Sequence, residues 1–185
     1  MVFQDPYGAL NPRRNVGKIL RRAGMLGGLS AADAQAQALA LLDMVGLPPE
    51  ALLRGVDAFS GGQRQRVGIA RALAMRPSLI IADEIVAALD MSMQAQILAL
   101  LARLKRDNGL TLLFITHDLR VAAEIADTVA VMHKGQIVEM GPVSTVFASP
   151  THEYTRQLLA AIPGQRLRGA LRSADCTLST QKLAL

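Results

Sequence analysis

A serine and two glycines, Ser60, Gly61 and Gly62, stand where a helix is predicted to begin. Glycines let a backbone come close to a phosphate, and a helix N-terminus presents free N–H groups with partial positive charge. The Ser60 hydroxyl adds a further hydrogen-bond partner. On its own the pattern fits a serine-capped glycine turn equally well, so the phosphate-binding interpretation depends on the rest of the chain.

Two carboxylates follow directly on a short apolar run, Leu79 to Ala82, that is typical of a fully buried strand. An open parallel sheet holds such residues rigidly at its carboxyl edge, where its ligands bind. Asp83 and Glu84 are therefore predicted at that edge, and His117 follows a second run typical of a buried strand, Leu110 to Thr116. Taken singly, such carboxylates are more often solvated loop charges, and such a histidine is usually structural.

The elements around these residues predict an α/β fold. Ser92 to Arg106 has helical spacing between the two apolar runs, which predicts parallel strands joined by a crossover helix. Ser30 is predicted to cap a helix whose apolar residues Leu39, Leu42 and Val45 recur every third position. The other expected elements are the end of a strand at Met1 to Gln4, a helix from the glycine turn to Met75, a helix at Leu119 to Ala126, strands at Thr128 to His133 and Gln136 to Met140 joined by a Lys134–Gly135 turn, and a helix at Thr151 to Ala161.

The composition indicates a globular protein, with 51% hydrophobic and 19% charged residues. The net charge is +5, but the arginines are scattered and no aromatic side chains are interleaved to stack bases, so no nucleic acid is expected as a partner. No membrane helix is expected, because no apolar run reaches roughly 18 residues. No signal peptide is expected either, because Asp5 and Pro6 stand where its basic region and apolar stretch would lie. Cys176 is the single cysteine, which fits a reducing cytoplasm, and His133, His152 and Cys176 lack the spacing of a metal site.

The sequence around the glycine turn resembles the signature motif of ABC ATPases. The matching residues are Phe59-Ser60-Gly61-Gly62-Gln63-Arg64-Gln65-Arg66 and the continuation Val67-Gly68-Ile69-Ala70-Arg71-Ala72-Leu73. Two further matches follow in the family's order, since Leu79 to Glu84 resembles a Walker B motif and His117 resembles the switch histidine. Asp90 is similar to the end of the D-loop, and Gln4 to the Q-loop glutamine.

The resemblance implies ATP and Mg²⁺ as ligands and a role for each matching residue. Asp83 and Gln4 would help to hold Mg²⁺, Glu84 would act as the general base on the attacking water, and His117 would sense the γ-phosphate. The residues implied to bind nucleotide are Gln4, Ser60, Gly61, Gly62, Gln63 and Asp90.

The resemblance also implies a fold, a partial P-loop NTPase (RecA-like) parallel sheet with an inserted helical subdomain. It covers residues 1–163 as the C-terminal part of one ABC ATPase domain. Within that domain, the helical subdomain is expected at about 12–76, the core strands at about 77–141 and a C-terminal helix at about 151–162. A loosely ordered tail is expected at 164–185.

Two stretches are similar to importer ATPases for oligopeptides, dipeptides and nickel. They are Phe3 to Tyr7 with Leu10 to Arg13, and Pro150 to Thr155 with Leu158, Leu159, Ile162 and Pro163. One departure is Ile85-Val86-Ala87 where the family usually has Pro-Thr-Ser, and the lost hydroxyls are expected to slow turnover. The larger departure is that GxxxxGK(S/T), the phosphate-cradling loop, does not occur. We therefore expect a truncated or split product, with exposed apolar strand faces and doubtful stability by itself.

Three functions stay open at this point: an importer ATPase, a non-catalytic remnant or assembly subunit, and a DNA-repair or translation ATPase of the wider superfamily. The peptide-type C-terminal stretch favours the importer over the third. An importer implies a second ATPase subunit and transmembrane permease subunits as partners, and indirectly a solute-binding protein. Its expected place is peripheral, at the cytoplasmic face of the inner membrane.

Overall fold

The computed structural model describes residues 1–2 and 10–162, which form an α/β structure with a parallel sheet and confirm the predicted fold class. The chain divides into two compact units, Met1–Ile115 and Thr116–Leu185. Gln4 and the expected tail at 164–185 lie outside the described residues. Over the described part of the chain, no helix combines the length and the apolar character needed to cross a membrane.

The first unit begins with helices. α1 spans Val16–Leu26, α2 spans Ala31–Met44 and α3 spans Gly61–Ala74, with short 3-10 helices at Pro49–Leu53 and Val56–Ala58 between α2 and α3. The side chain of Ser30 accepts a hydrogen bond from Asp33 N at 3.1 Å, which confirms Ser30 as the cap of α2.

The buried face of α2 differs from the predicted one at Leu39. Leu42 and Val45 are buried as predicted, but Leu39 is 49% exposed, and Ala34, Ala38 and Leu41 complete the buried face instead. The physical reason is the period of the helix, which is 3.6 residues per turn. Repeated three-residue steps drift around the helix surface in one direction, whereas alternating three-residue and four-residue steps stay on one face.

The sheet of the first unit is parallel, as predicted. β1 (Leu79–Asp83) pairs in register with β2 (Thr111–Ile115), and α4 (Met91–Asn108) forms the crossover between them. On the other side of β1, Val2 forms a parallel bridge to Ala82, with Val2 N donating to Ile81 O at 2.8 Å. The predicted strand end at the start of the chain is thus present at Val2.

The two strands are less buried than their composition predicted. Ile80 and Ala82 are buried, but Leu79 is 46%, Leu113 is 51% and Ile115 is 45% exposed. Side chains alternate between the two faces of a strand, and within the described residues one apolar face of this sheet is left uncovered. An all-apolar strand predicts that both faces of the sheet are buried. The strand itself does not contain the element that has to pack on the second face.

The second unit is a hairpin packed on helices. It comprises α5 (Leu119–Ile125), β3 (Thr128–His133), β4 (Gln136–Pro142), α6 (Val143–Ala148) and α7 (Glu153–Ala160). The strands are antiparallel, and the predicted turn is confirmed, since Lys134 and Gly135 both have positive φ, 49° and 78°. The core contains Val131, Val143 and Phe147. α6 was not predicted, because six residues show no helical period.

Glu139, on β4, anchors the start of α7. Its Oε1 accepts hydrogen bonds from Thr151 N at 2.8 Å and Thr151 Oγ1 at 2.9 Å, and its Oε2 accepts one from His152 N at 3.1 Å. His152 in turn caps the helix, because its Nδ1 accepts from Tyr154 N at 3.1 Å. Hydrogen bonds to the ionised carboxylate, led by that from the Thr151 backbone, lower the pKa of Glu139 to about 2.

Acid is therefore expected to loosen the start of α7. Because the folded pKa lies below the ordinary value of 4.5, the stabilisation is complete above pH 4.5 and is lost as the pH falls towards about 2. Hydrogen-exchange protection of the Thr151 and His152 amides, corrected for intrinsic exchange, should decline over this window in the wild type. In Glu139→Gln it should already be low at neutral pH and change little. Parallel declines in both proteins would show that another group is responsible.

Candidate nucleotide site

α3 begins with a capping box that fixes the backbone around the two glycines. Ser60 Oγ accepts a hydrogen bond from Gln63 N at 3.4 Å, and Gln63 Oε1 accepts one from Ser60 N at 3.1 Å. Each side chain thus accepts a hydrogen bond from the backbone N–H of the other residue. In the hydrogen bonds of the described residues, Gly61 N and Gly62 N donate to no partner. The helix therefore starts in a fixed conformation, and the exposed Gly61 presents its N–H group to a ligand.

The two glycines serve different purposes. A Cβ at Gly61 would have no atom within 4 Å, so the space beside this residue is open. A Cβ at Gly62 would lie 1.8 Å from Met93 Cε, so the side chain of Met93 occupies the place where a residue other than glycine would put its own. A side chain at position 62 would therefore have to displace the end of the Met93 side chain, whereas Gly61 leaves room for a ligand. The contact with Met93 could not be predicted from the sequence, because no local pattern relates Met93 to the glycine turn.

The two carboxylates of the predicted Walker B strand lie where β1 ends. Asp83 N donates to Val2 O at 3.1 Å, and Glu84 N donates to Ile115 O at 3.0 Å, so neighbours on both sides hold this strand end. Glu84 has a φ of 48°, in the left-handed region that side chains other than glycine rarely adopt. Such strain is tolerated where surrounding bonds enforce it, and it is concentrated at functional sites.

A short loop connects Glu84 to Asp90, which precedes α4. Ile85 and Val86 are 2% and 3% exposed, so these departures from the family pattern are core residues. Asp90 then caps α4, with its side chain accepting from Met93 N at 2.9 Å. The apolar pair therefore anchors the loop between Glu84 and Asp90.

His117 belongs to the second unit, in the turn before α5. Its side chain is exposed, and the turn is fixed by Asp118, whose N–H donates to Thr116 Oγ1 at 3.0 Å. Asp118 also forms an ion pair with Arg120 at 2.7 Å, and hydrogen bonding to that side chain is the main cause that lowers the pKa of Asp118. His117 thus lies two positions after Ile115, the last residue of β2.

The donor set in the first unit fits a Mg²⁺ ion that arrives with a nucleotide. Mg²⁺ is usually bound by one or two carboxylates together with substrate phosphates and waters. Asp83 supplies such a carboxylate at the sheet edge, and the described residues contain no group of three acidic, histidine or cysteine side chains that would hold an ion by themselves.

A cavity of about 750 Å³ in the first unit runs along α1 and is lined by Arg13, Arg14, Lys18, Arg21, Arg22, Met25 and Leu26. None of the predicted nucleotide-binding residues lines it. Among the described residues predicted to bind nucleotide, Ser60, Gly61, Gln63 and Asp90 are exposed, whereas Gly62 is buried.

Comparisons with known proteins agree with the sequence resemblance. Residues 1–87 match the ABC transporter family. The glutathione import ATP-binding protein GsiA of Escherichia coli (strain K12) is 53% identical to this chain over 163 residues, and so is GsiA of Salmonella typhimurium. The matched region is 88% of this chain but 26% of each GsiA protein, so the chain spans about a quarter of the length of these relatives.

Two solved structures share the fold. That of cbiO1 from Clostridium perfringens, part of the ABC transporter complex cbiONQ, has a TM-score of 0.72 and 27% identity, and the match covers 94% of this chain and 66% of cbiO1. The ATP-binding cassette MJ0796, a dimer in a post-hydrolysis state bound to ADP and Pi, has a TM-score of 0.64 and 29% identity. That match covers 76% of this chain and 62% of the cassette.

Proposed function

The chain belongs to the ATP-binding proteins of ABC transporters, and from this we propose that it binds ATP and helps to hydrolyse it to drive import of a peptide-like solute. The observation that carries the proposal is the start of α3, where the capping box leaves Gly61 N available beside open space. A helix N-terminus of this kind attracts a phosphate through its N–H groups and its dipole.

We assign the chemistry of hydrolysis to the end of β1. Glu84 is proposed as the general base, because its backbone is fixed and its carboxylate can take a proton from water. Asp83 is proposed as a ligand of Mg²⁺, which when bound would neutralise charge on the phosphates. Asp90, His117 and Gln4 keep the roles that the resemblance implies.

A second ATPase subunit is proposed as a partner. The given sequence contains no GxxxxGK(S/T), the loop that would cradle the nucleotide phosphates. The start of α3 would then complete a site whose phosphate loop belongs to another subunit. The dimeric cassette bound to ADP and Pi is consistent with such an arrangement.

The remaining partners are proposed from the importer relatives. GsiA is an ATP-binding protein for glutathione import, and glutathione is a small peptide, which agrees with the peptide-type stretches of this sequence. Transmembrane permease subunits would hold the protein at the cytoplasmic face of the inner membrane, and a solute-binding protein would act through them.

The test is uptake into liposomes that contain the full-length protein and its permease subunits. We expect ATP-dependent accumulation of at least one solute from a panel of glutathione, dipeptides and oligopeptides, supplied with the solute-binding protein. A nickel salt in the panel tests the other substrate class of the resemblance. ATP turnover without uptake of any peptide would contradict the proposed substrate class, and absence of ATP binding would contradict the proposed function as a whole.

A further inference from the structure

Helix α2 ends with two of its carbonyls bonded to arginines from other helices. The last four carbonyls of a helix lack partners within it. The carbonyls of residues 42 and 43 accept from backbone N–H groups in the turn at Gly46, which has a φ of 69°. The remaining two are bonded by side chains: Arg66 Nη1 donates to Val45 O at 2.8 Å, and Arg103 Nη2 donates to Met44 O.

These arginines also supply charge that α2 lacks. The C-terminus of a helix carries partial negative charge, which a basic residue in the last turn often offsets. α2 has no basic residue in its last turn. Arg66 belongs to α3 and Arg103 to α4, so the offsetting charges come from two different helices and tie both of them to α2.

Arg66 also joins α3 to α4 directly. Its Nη2 donates to Gln96 Oε1 at 2.8 Å, while Nη1 is bonded to α2. One turn earlier on both helices, Met93 lies over Gly62. Residues three or four apart share a helix face, so Gly62 with Arg66 and Met93 with Gln96 form two successive contacts along the same pair of helices.

From this geometry we infer that Arg66 and Arg103 are positioning residues, which hold α2, α3 and α4 together and thereby fix the spacing between Ser60 and Asp90. Ser60 caps α3 and Asp90 caps α4, each within six residues of the two contacts that join α3 to α4. The inference rests on the proposed function, because the starts of α3 and α4 act in the same reaction only if the protein hydrolyses ATP as proposed. Neither arginine is assigned a contact with the nucleotide.

The geometry requires arginine at position 66. A guanidinium presents its N–H groups in a planar fork, so it can donate to two acceptors on different helices at the same time. A lysine ammonium on a flexible stem has no such fixed fork. Arg66→Lys should therefore keep the charge at the end of α2 but hold α4 less firmly, and its effect should lie between those of the wild type and Arg66→Ala.

The experiment uses the full-length protein with its transporter partners. Arg66→Ala and Arg103→Ala are compared with Arg106→Ala, which removes an exposed arginine of α4 that makes none of these contacts. Because displacement of reacting groups by about 1 Å can cost about a hundredfold, we expect kcat per folded molecule to fall roughly tenfold or more in the first two variants. Arg106→Ala should stay within about twofold of the wild type.

Spin labels report the positions of the helices independently of turnover. Labels at Leu39→Cys on α2 and Ala99→Cys on α4, both exposed, are placed in a Cys176→Ser background. Their distance distribution should broaden or shift in Arg66→Ala and Arg103→Ala, and remain as in the wild type in Arg106→Ala. A merely structural role would lower Tm and the folded fraction but leave kcat per folded molecule unchanged.

Unchanged distances, or unchanged kcat per folded molecule, would overturn the inference. If Arg66→Ala does not fold, Arg66→Lys and Gln96→Ala each remove only one of the hydrogen bonds that Arg66 makes to α2 and α4, and they give the same comparison. Lack of ATP turnover by the wild type would instead contradict the proposed function. The label distances would then still decide whether these arginines hold the helices together.

Discussion

Replacing Glu84 by glutamine is expected to abolish ATP turnover in the full-length transporter while leaving ATP binding intact. Glutamine matches the shape of glutamate and keeps the backbone bond from Glu84 N to Ile115 O, but it cannot accept a proton from water. Loss of a general base typically costs about 10²- to 10⁴-fold. The measurements are steady-state phosphate release and equilibrium binding of ATP, with turnover expected to fall and Kd to change by less than about threefold.

Glu124→Gln is the matched control, because Glu124 is an exposed glutamate on α5 that has no role in the proposed chemistry. Its turnover should equal that of the wild type. If Glu84→Gln retains more than about a tenth of the wild-type rate, another group must activate the water, and the assignment of the general base to Glu84 would be wrong.

Replacing Ser60 by arginine is the second change for which we expect near-complete loss of turnover. Ser60 is exposed beside the open space at Gly61, so a long side chain there would occupy the volume that the nucleotide needs. The substitution also removes the cap of α3, a loss of about 0.5–2 kcal/mol in helix stability. The assay is ATP turnover per folded molecule, in the presence of the partner ATPase subunit, with roughly a hundredfold decrease or more expected from the blocked site.

The loss of the cap needs its own control, and the chain offers one in Ser30. Ser30 caps α2 through the same kind of bond, accepting from Asp33 N, but it lies at the start of a different helix. Ser30→Arg should lower Tm by an amount similar to that for Ser60→Arg and leave turnover per folded molecule unchanged. If the two variants lose turnover equally, helix stability explains the effect, and the start of α3 does not meet a nucleotide.

Much of this protein could be predicted from local patterns in the sequence. The two apolar runs with a helical segment between them predict parallel strands, and the structure confirms β1, α4 and β2 with Asp83 at the end of β1. The Lys134–Gly135 turn and the capping residue Ser30 were also predictable. These features depend on backbone preferences and periodicity within a few residues of one another, which is the range that a single sequence expresses directly.

Other features were decided by residues far apart in the chain. Whether a strand face is covered depends on what packs against it, so the exposure of Leu113 could not follow from its apolar neighbours. The same holds for Glu139, whose pKa is lowered by backbone N–H groups on a different element.

The difference between features that local sequence predicts and features that depend on tertiary packing is clearest at α3. The helix start at Ser60, Gly61 and Gly62 could be predicted from local sequence, because a serine cap and glycines act through the adjacent backbone. The position of Met93 beside Gly62 and the hydrogen bonds of Arg66 to both α2 and α4 depend instead on how the helices pack. Those contacts join residues 21 to 31 positions apart, and the energy of each depends on how whole helices pack, which no local pattern encodes.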